Sequence, residues 1–281
     1  MNMSTTLTPL RYPGGKSKLF PLIKNILYSN SLLNGVYVEP FSGGAGISIC
    51  LLLNNLAEKI VINDIDYAIY AFWKTLKDRP YWLCDKISST TIDIDTWNIQ
   101  RNINANKKNY SIYDVGFSTF FLNRTNRSGI IRGGVIGGKK QASNYKIDAR
   151  FNKNNLIKKI ESIATYRNRI NLYNLDAIKL VEHIKDDIGN NSLIYFDPPY
   201  FQKGNLLYTN FYKENDHKIL SKYVKKLKTP WIVTYDNVDK IKKIYNQDFI
   251  DLRISYSASS VRSKGKEILF WGNIEKPQLE Q

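Results

Sequence analysis

The sequence is poor in the residues that bind metals or form disulfides. It has two cysteines, Cys50 and Cys84, and two histidines, His183 and His217. So small a number of cysteines and histidines excludes a disulfide-rich scaffold and argues against a Cys/His zinc site. We therefore expect no metal. Cys50 lies within an apolar run and is interpreted as a core residue rather than a nucleophile.

Long hydrophobic runs and an excess of acidic residues are also lacking. No segment approaches 18 uninterrupted apolar residues, and the N-terminus has neither the basic start nor the apolar core of a signal peptide. We therefore expect a cytoplasmic protein without a membrane partner. Lys and Arg number 41 against 25 Asp and Glu, a net charge of +16, which favours nucleic acid as the partner.

Strand-like and helix-like segments alternate along most of the chain. A hydrophobic fraction of 43% is sufficient for a packed core. The pattern predicts an α/β protein whose mostly parallel, Rossmann-like sheet has helices on both faces. The expected strands are 36–38, 59–62, 169–173, 193–196, 231–235 and 267–271, and the expected helices include 47–56, 176–184 and 216–227.

Residues 85–170 break this alternation. They contain 16 Lys and Arg against 6 Asp and Glu, with aromatic and polar side chains interspersed. A charge run is usually only a solvated surface, but the aromatic content favours a segment that reads DNA. We predict a catalytic, cofactor-binding domain made of residues 1–84 and 171–281, with 85–170 as a smaller inserted target-recognition domain.

A buried-strand pattern at residues 193–196 runs directly into Asp197-Pro-Pro-Tyr200. Proline fixes φ and supplies no N–H to a ladder, so the strand must stop there. A carboxylate, a stiff turn and an aromatic ring then lie at the carboxyl end of a strand, where ligands bind in open α/β sheets. Such a group suits a planar base with an exocyclic amine. The alternative is an ordinary exit from a strand.

A second candidate site combines a glycine-rich turn with an acidic residue. Gly43, Gly44 and Gly46 follow a predicted strand and open a predicted helix, and Asp64 ends the next strand. The spacing favours a pocket for a nucleoside cofactor, with Asp64 accepting hydrogen bonds from ribose hydroxyls. A plain glycine turn and a helix-capping Asp are the alternatives. The order of dinucleotide binders, G-x-G-x-x-G, is missing, and Gly14-Gly-Lys-Ser17 lacks the full phosphate-loop spacing.

Four segments, in this order, resemble the Dam-type family of DNA adenine N6-methyltransferases. They are Arg11-Tyr-Pro-Gly-Gly-Lys16, Glu39-Pro-Phe-Ser-Gly-Gly-Ala-Gly46, Asn63-Asp-Ile-Asp66 and Asp197-Pro-Pro-Tyr200. The resemblance implies transfer of a methyl group from S-adenosylmethionine to the N6 amine of an adenine flipped out of double-stranded DNA. It also implies a place in restriction-modification. We expect a monomer that needs no metal.

The resemblance assigns roles to individual residues. Asp197 and the Pro198 carbonyl would accept hydrogen bonds from the amine, Asp197 would also border the cofactor, and Tyr200 would stack on the base. Asp176 is either an adenine-side contact or a helix N-cap. The remaining cofactor contacts implied are Tyr12, Lys16, Phe41, Gly43, Gly46 and Asp64.

The likeness continues through the predicted recognition segment. Arg132 falls where the family carries an arginine that reads guanine, and a base contact and a phosphate contact stay equally open. Arg127 stands where related loops carry an aromatic residue, so no target sequence is carried over, and we assign it to DNA. The residues expected to bind phosphates are Arg124, Lys139, Lys140, Arg262, Lys264 and Lys266.

Two other functions fit part of this pattern. Related turns occur in methyltransferases that act on RNA or on protein amides, although Asp at 197 and the Pro-Gly-Gly-Lys segment favour DNA adenine. A catalytically silent DNA-binding protein on the same fold is the other alternative.

Overall fold

A seven-stranded, mostly parallel sheet forms the centre of the protein. The computed structural model describes residues 7–11, 16–201, 212–256 and 263–279, with residues 253–256 and 263–266 described by their backbone alone. The strand order is β3-β2-β1-β4-β5-β7-β6; β1 to β5 are parallel, and β7 is antiparallel to both its neighbours. The strands are β1 (Gly35–Glu39), β2 (Ala57–Asn63), β3 (Ile170–Tyr173), β4 (Leu193–Phe196), β5 (Trp231–Asp236), β6 (Ile250–Tyr256) and β7 (Ser263–Gly272).

Helices cover both faces of this sheet. Those that precede β3 pack on one face and those that follow it pack on the other. No helix in the described part of the chain is long and apolar enough to cross a membrane. The helices are α1 (Phe20–Ser29), α2 (Gly46–Leu53), α3 (Tyr67–Asp78), α4 (Pro80–Ser89), α5 (Ile94–Ala105), α6 (Ile112–Thr125), α7 (Lys153–Ala164), α8 (Ala177–Ile184), α9 (Glu214–Val224) and α10 (Asp239–Tyr245).

The central strands are buried on both faces because their side chains alternate between two hydrophobic clusters. In β4, Leu193 and Tyr195 contribute to the cluster under α1 to α7, whereas Ile194 and Phe196 contribute to the cluster under α8 to α10. This alternation follows from the two-residue period of a strand. It explains why residues 193–196 read as a continuous apolar run, and the predicted Rossmann-like fold is confirmed.

The register brings the two predicted sites to one edge of the sheet. Val38 of β1 pairs with Ile194 of β4 on one side and with Val61 of β2 on the other. Since parallel strands end on the same side, the turn after β1, the residues after β2 and the Asp-Pro-Pro-Tyr segment after β4 are neighbours.

The segment between β2 and β3 is helical and packs closely against the sheet. Phe120 of α6 stacks on Phe72 of α3 with ring centroids 5.8 Å apart, and both are fully buried. Phe151, which precedes α7, contacts Phe120 edge-on at 5.5 Å. These rings belong to the same hydrophobic cluster as β1 and β2, and the division into a catalytic and an inserted domain stays a prediction.

Candidate active site at the carboxyl ends of β1, β2 and β4

The Asp197 carboxylate lies directly after β4 and is held by a buried lysine. Lys16 Nζ is 2.8 Å from Asp197 Oδ1 and 3.1 Å from Oδ2, and the lysine side chain is only 4% exposed. Lys16 immediately precedes a short 3-10 turn, Ser17–Leu19. These contacts fix the direction of the Asp197 carboxylate, which suits a hydrogen-bond acceptor.

Tyr200 and Glu267 complete this cluster. The Tyr200 hydroxyl donates to Glu267 Oε1 at 2.6 Å, and Lys16 Nζ donates to the Tyr200 hydroxyl at 3.2 Å. Glu267, in β7, is 2% exposed and lies 3.4 Å from the Lys16 ammonium. Burial raises the pKa of Glu267 to about 7, against the opposing effect of Lys16. Sequence reasoning gave Glu267 no role.

A buried hydroxyl of β5 fixes the other side of Asp197. Thr234 Oγ1 donates to Asp197 Oδ1 at 2.8 Å and lies 2.8 Å from the Tyr195 hydroxyl. Because the single proton of Thr234 is used on Asp197, the Tyr195 hydroxyl must be the donor in the second bond. Burial raises the pKa of Tyr195 well above its ordinary value, so this hydroxyl keeps its proton.

The glycine turn after β1 is held in shape by surrounding side chains. Gly43 has φ +45°, donates its N–H to Asp64 Oδ2 at 3.0 Å and accepts from Trp73 Nε1 at 2.9 Å. The Thr8 hydroxyl donates to the Gly44 carbonyl at 2.6 Å. Both peptide groups of Gly43 therefore have fixed directions, and the turn is preorganised for a ligand.

Asp64 and its neighbour Asn63 join this turn to β2 and β3. Asp64 also accepts the Asp66 N–H at 2.9 Å; burial raises its pKa to about 7, although the residue as a whole is half-buried. The buried Asn63 amide donates to the carbonyls of Pro40 and Leu175 at 2.8 and 2.9 Å. One side chain thus ties together the turns that follow β1 and β3.

A carboxylate is also buried beneath the glycine turn. Glu39, the last residue of β1, is 4% exposed and accepts the Ser48 N–H of α2 at 3.2 Å. Burial raises the pKa of Glu39 to about 8, despite this hydrogen bond. Glu39 thereby fastens the first turn of α2 to the end of β1.

Two aromatic rings and an acid border the accessible side of the turn. Phe41 meets Tyr212 edge-on with ring centroids 5.6 Å apart. The negative charge of Asp176 acts on Tyr212, although burial is the larger cause of its raised pKa. Asp176 also caps α8 by accepting from Ile178 N and Lys179 N, so the N-cap alternative is confirmed. Tyr212 was not foreseen from the sequence.

Comparison with known proteins identifies the family. A family model described as D12 class N6 adenine-specific DNA methyltransferase matches residues 12–259. The chain belongs to this family. It is also 24% identical, over 240 residues, to the type II methyltransferase M.MjaIII of Methanocaldococcus jannaschii, covering 78% of this chain and 79% of that protein.

DNA adenine methylation is therefore the activity that this site serves, and the predicted family and reaction are confirmed. The structure brings Lys16 to Asp197 and Tyr200, and it brings Phe41, Gly43 and Asp64 together at the neighbouring strand ends. Contacts of these residues with substrate or cofactor stay predictions.

Gly46 packs tightly against the 3-10 turn that follows Lys16. A Cβ at this position would lie 2.4 Å from Ser17 Oγ, so a larger residue there would have to displace the Ser17 hydroxyl. A contact of Gly46 with the cofactor stays a prediction.

Among the remaining predicted contacts, Tyr12 and Arg262 lie outside the described residues, and Lys264 and Lys266 belong to the part of β7 described by its backbone.

The methyltransferase presents its predicted recognition residues on a closed loop after α6. Residues 126 and 135 form an antiparallel bridge, and Arg127 N donates to the Gly134 carbonyl at 2.9 Å. The buried amide of Asn126 donates to the carbonyls of residues 130 and 131 from inside the loop. The basic side chains that are exposed here are Arg127, Arg132, Lys139 and Lys140.

Arg124 differs from these four exposed residues. Its guanidinium donates to the Arg150 carbonyl, with Nε at 2.7 Å, and to the Pro9 carbonyl at 3.5 Å. Burial, together with the nearby positive charges of Arg11 and Arg150, lowers its pKa to about 10. Arg124 thus has a structural role in joining α6 to the N-terminal segment, and its phosphate contact stays a prediction.

Proposed function

We propose that the chain transfers a methyl group from S-adenosylmethionine to N6 of an adenine flipped out of double-stranded DNA. The observation that carries the proposal is the pairing of Val38 with Ile194. This register sets the glycine turn beside the Asp197 carboxylate, so that a nucleoside cofactor in the turn and a base at Asp197 would be neighbours.

The residues at the turn fit S-adenosylmethionine. The half-buried Asp64 carboxylate would accept hydrogen bonds from ribose hydroxyls, and Phe41 and Tyr212 provide apolar surface for an adenine ring. The Ser42 hydroxyl is buried and has no hydrogen-bond partner among the described residues, so a polar ligand in the turn would satisfy it. When bound, this cofactor supplies a methyl group made electrophilic by a sulfonium.

The catalytic cluster supplies acceptors for the target amine. The N6 lone pair of adenine is delocalised into the ring, which makes the amine a poor nucleophile. Hydrogen bonds from N6–H to the Asp197 carboxylate and the Pro198 carbonyl would hold the amine and stabilise its developing positive charge. The Lys16 and Thr234 bonds orient Asp197 before the base arrives, so positioning would supply much of the rate.

Base flipping follows from where these acceptors lie. Asp197 lies at the carboxyl end of the central strand β4, and its side chain is only 20% exposed. A base that stays stacked within a duplex would not reach it. Stacking on Tyr200 would return about 1–3 kcal/mol, which is comparable with the few kcal/mol spent in unstacking a base.

The DNA contacts proposed for this methyltransferase are those of the loop after α6. Arg127, Arg132, Lys139 and Lys140 are exposed and basic, as phosphate or base contacts require. The type II name of M.MjaIII leads us to propose that the chain methylates one short sequence that a partner restriction endonuclease recognises.

A methyl-transfer assay with purified protein tests this proposal. We expect labelled S-adenosylmethionine to methylate duplex DNA but not RNA, and Asp197→Ala to retain the fold and lose transfer. Asp251→Asn, a change of an exposed acid on β6, is the control and should act normally. Near wild-type turnover by Asp197→Ala would overturn the catalytic assignment, and methylation of RNA instead of DNA would overturn the substrate.

A further inference from the structure

Two acidic residues, Asp197 and Glu267, share the buried ammonium of Lys16 in the candidate active site. Lys16 Nζ lies 2.8 Å from Asp197 and 3.4 Å from Glu267, which come from different parts of the sheet. Tyr200 joins the same group, since its hydroxyl accepts from Lys16 and donates to Glu267. Glu267 therefore contacts Lys16 and Tyr200 directly and is linked to Asp197 through Lys16.

We propose that Glu267 is a positioning residue for methyl transfer, which holds the Tyr200 ring in place and receives the Lys16 ammonium when adenine engages Asp197. This inference rests on the catalytic role proposed above for Asp197. Glu267 itself touches neither base nor cofactor in this scheme.

Competition for Asp197 is the first reason. In this structure Lys16 donates to both carboxylate oxygens of Asp197, and Thr234 also occupies Oδ1. An incoming N6–H can use the second lone pair of Oδ2, but it then shares that oxygen with the Lys16 ammonium. A cation left in full contact with Asp197 would also oppose the positive charge that develops on the amine. We therefore expect Lys16 to give up part of its contact with Asp197.

Glu267 is the group placed to accept that displaced contact. Its Oε1 is already 3.4 Å from Lys16 Nζ, so a small rotation of the lysine side chain turns this ion pair into a direct hydrogen bond. The same oxygen accepts from the Tyr200 hydroxyl at 2.6 Å, which restricts the ring expected to stack on the base. The Glu267 carboxylate thus fixes the positions of both the Lys16 ammonium and the Tyr200 ring.

The protonation state of Glu267 makes the inference measurable. The charged and titratable groups facing it are Lys16, Asp197 and Tyr200, and its partner on β5 is Asp236; its β6 partner, Leu252, carries no charge. Only the ionised carboxylate can pair with the displaced ammonium. Since the pKa of Glu267 is raised to about 7, the transfer rate should fall as pH drops through about 7.

The test is single-turnover methylation by Glu267→Gln across this pH range, with Asp251→Asn as the control. Glutamine keeps the shape of the side chain but cannot ionise. We expect the rate of Glu267→Gln at pH about 8 to be about 10- to 100-fold below that of the wild type. The limb of the pH–rate profile, meaning the fall in rate as pH drops through about 7, should disappear. The affinity for S-adenosylmethionine should change less than about twofold. A wild-type rate, or a limb that persists in Glu267→Gln, would overturn the inference.

Tyr200→Phe gives an independent test if Glu267→Gln does not fold. It keeps the ring and removes the hydroxyl whose hydrogen bond lowers the pKa of Glu267, so the limb should move to higher pH. A limb that does not move would contradict the inference. Asp197→Ala, assayed in parallel, separates the two proposals: an active Asp197→Ala refutes the catalytic site, whereas an inactive one beside normal Glu267→Gln refutes only the role of Glu267.

Discussion

Replacing Thr234 by valine should weaken both the fold and the reaction. Valine keeps the shape of threonine but removes the hydroxyl that donates to Asp197 at 2.8 Å. A hydrogen bond to a charged group contributes about 1.5–3 kcal/mol, so we expect a loss of stability in this range. The same loss of orientation at Asp197 should slow methyl transfer about 10- to 100-fold.

The Tyr195 hydroxyl adds a second effect, because Thr234→Val leaves it buried without its acceptor. Leaving a buried donor unsatisfied costs about 1–3 kcal/mol, whereas removing both partners costs less. The double variant Thr234→Val/Tyr195→Phe should therefore be more stable than the sum of its single variants predicts.

Urea unfolding and single-turnover methylation measure these two effects. Thr165→Val, at an exposed position at the end of α7, is the control and should change stability by less than about 0.5 kcal/mol. A Thr234→Val variant within that limit and with normal turnover would refute the role given to this hydroxyl. Strict additivity in the double variant would refute its bond with Tyr195.

Three further outcomes are expected. Gly129→Ala should destabilise the protein more than Gly138→Ala in urea unfolding, because both have positive φ but only at Gly129 would a Cβ meet a backbone oxygen, at 2.2 Å. The raised pKa of Glu39 means that stability is lost as pH rises from about 4.5 to about 8, so Glu39→Gln should flatten this decline and exposed Glu161→Gln should not. Arg132→Ala should lower the slope of log affinity against log salt by about 1 if this side chain binds a phosphate, and relax the target sequence if it reads a base, as binding to cognate and random duplexes would distinguish.

The sheet was predictable because its strands carry local signals. Buried strands appear as short apolar runs, and the Asp-Pro-Pro segment ends β4 where proline must end it. Residues 250–256, which form β6, were not predicted, although their alternation of apolar and polar residues is the pattern of a half-buried edge strand. Helix α1 was also missed, although Pro21 lies in its first turn, where proline favours a helix start.

The site was predictable only where its residues are adjacent in sequence. Asp197 and Tyr200 share one motif, but Thr234 and Glu267 reach Asp197 through the pairing of β5 with β4 and β7, which no local pattern specifies. Thr234 carried a signal, as a polar residue within an otherwise largely apolar strand, whereas Glu267 follows the polar residues 263–266 of β7 and does not stand out. The Arg124 guanidinium donates to backbone carbonyls because of tertiary packing. The basic character of this residue in the sequence did not indicate that structural role.

The most direct test is long-read sequencing for modified bases in DNA from a methylation-free host that expresses this chain or its Asp197→Ala variant. We expect N6-methyladenine in one short motif with the wild-type chain and none with the variant. Unmodified DNA from cells that contain folded wild-type protein, or the same methylated motif with Asp197→Ala, would contradict the assignment of adenine methylation to Asp197.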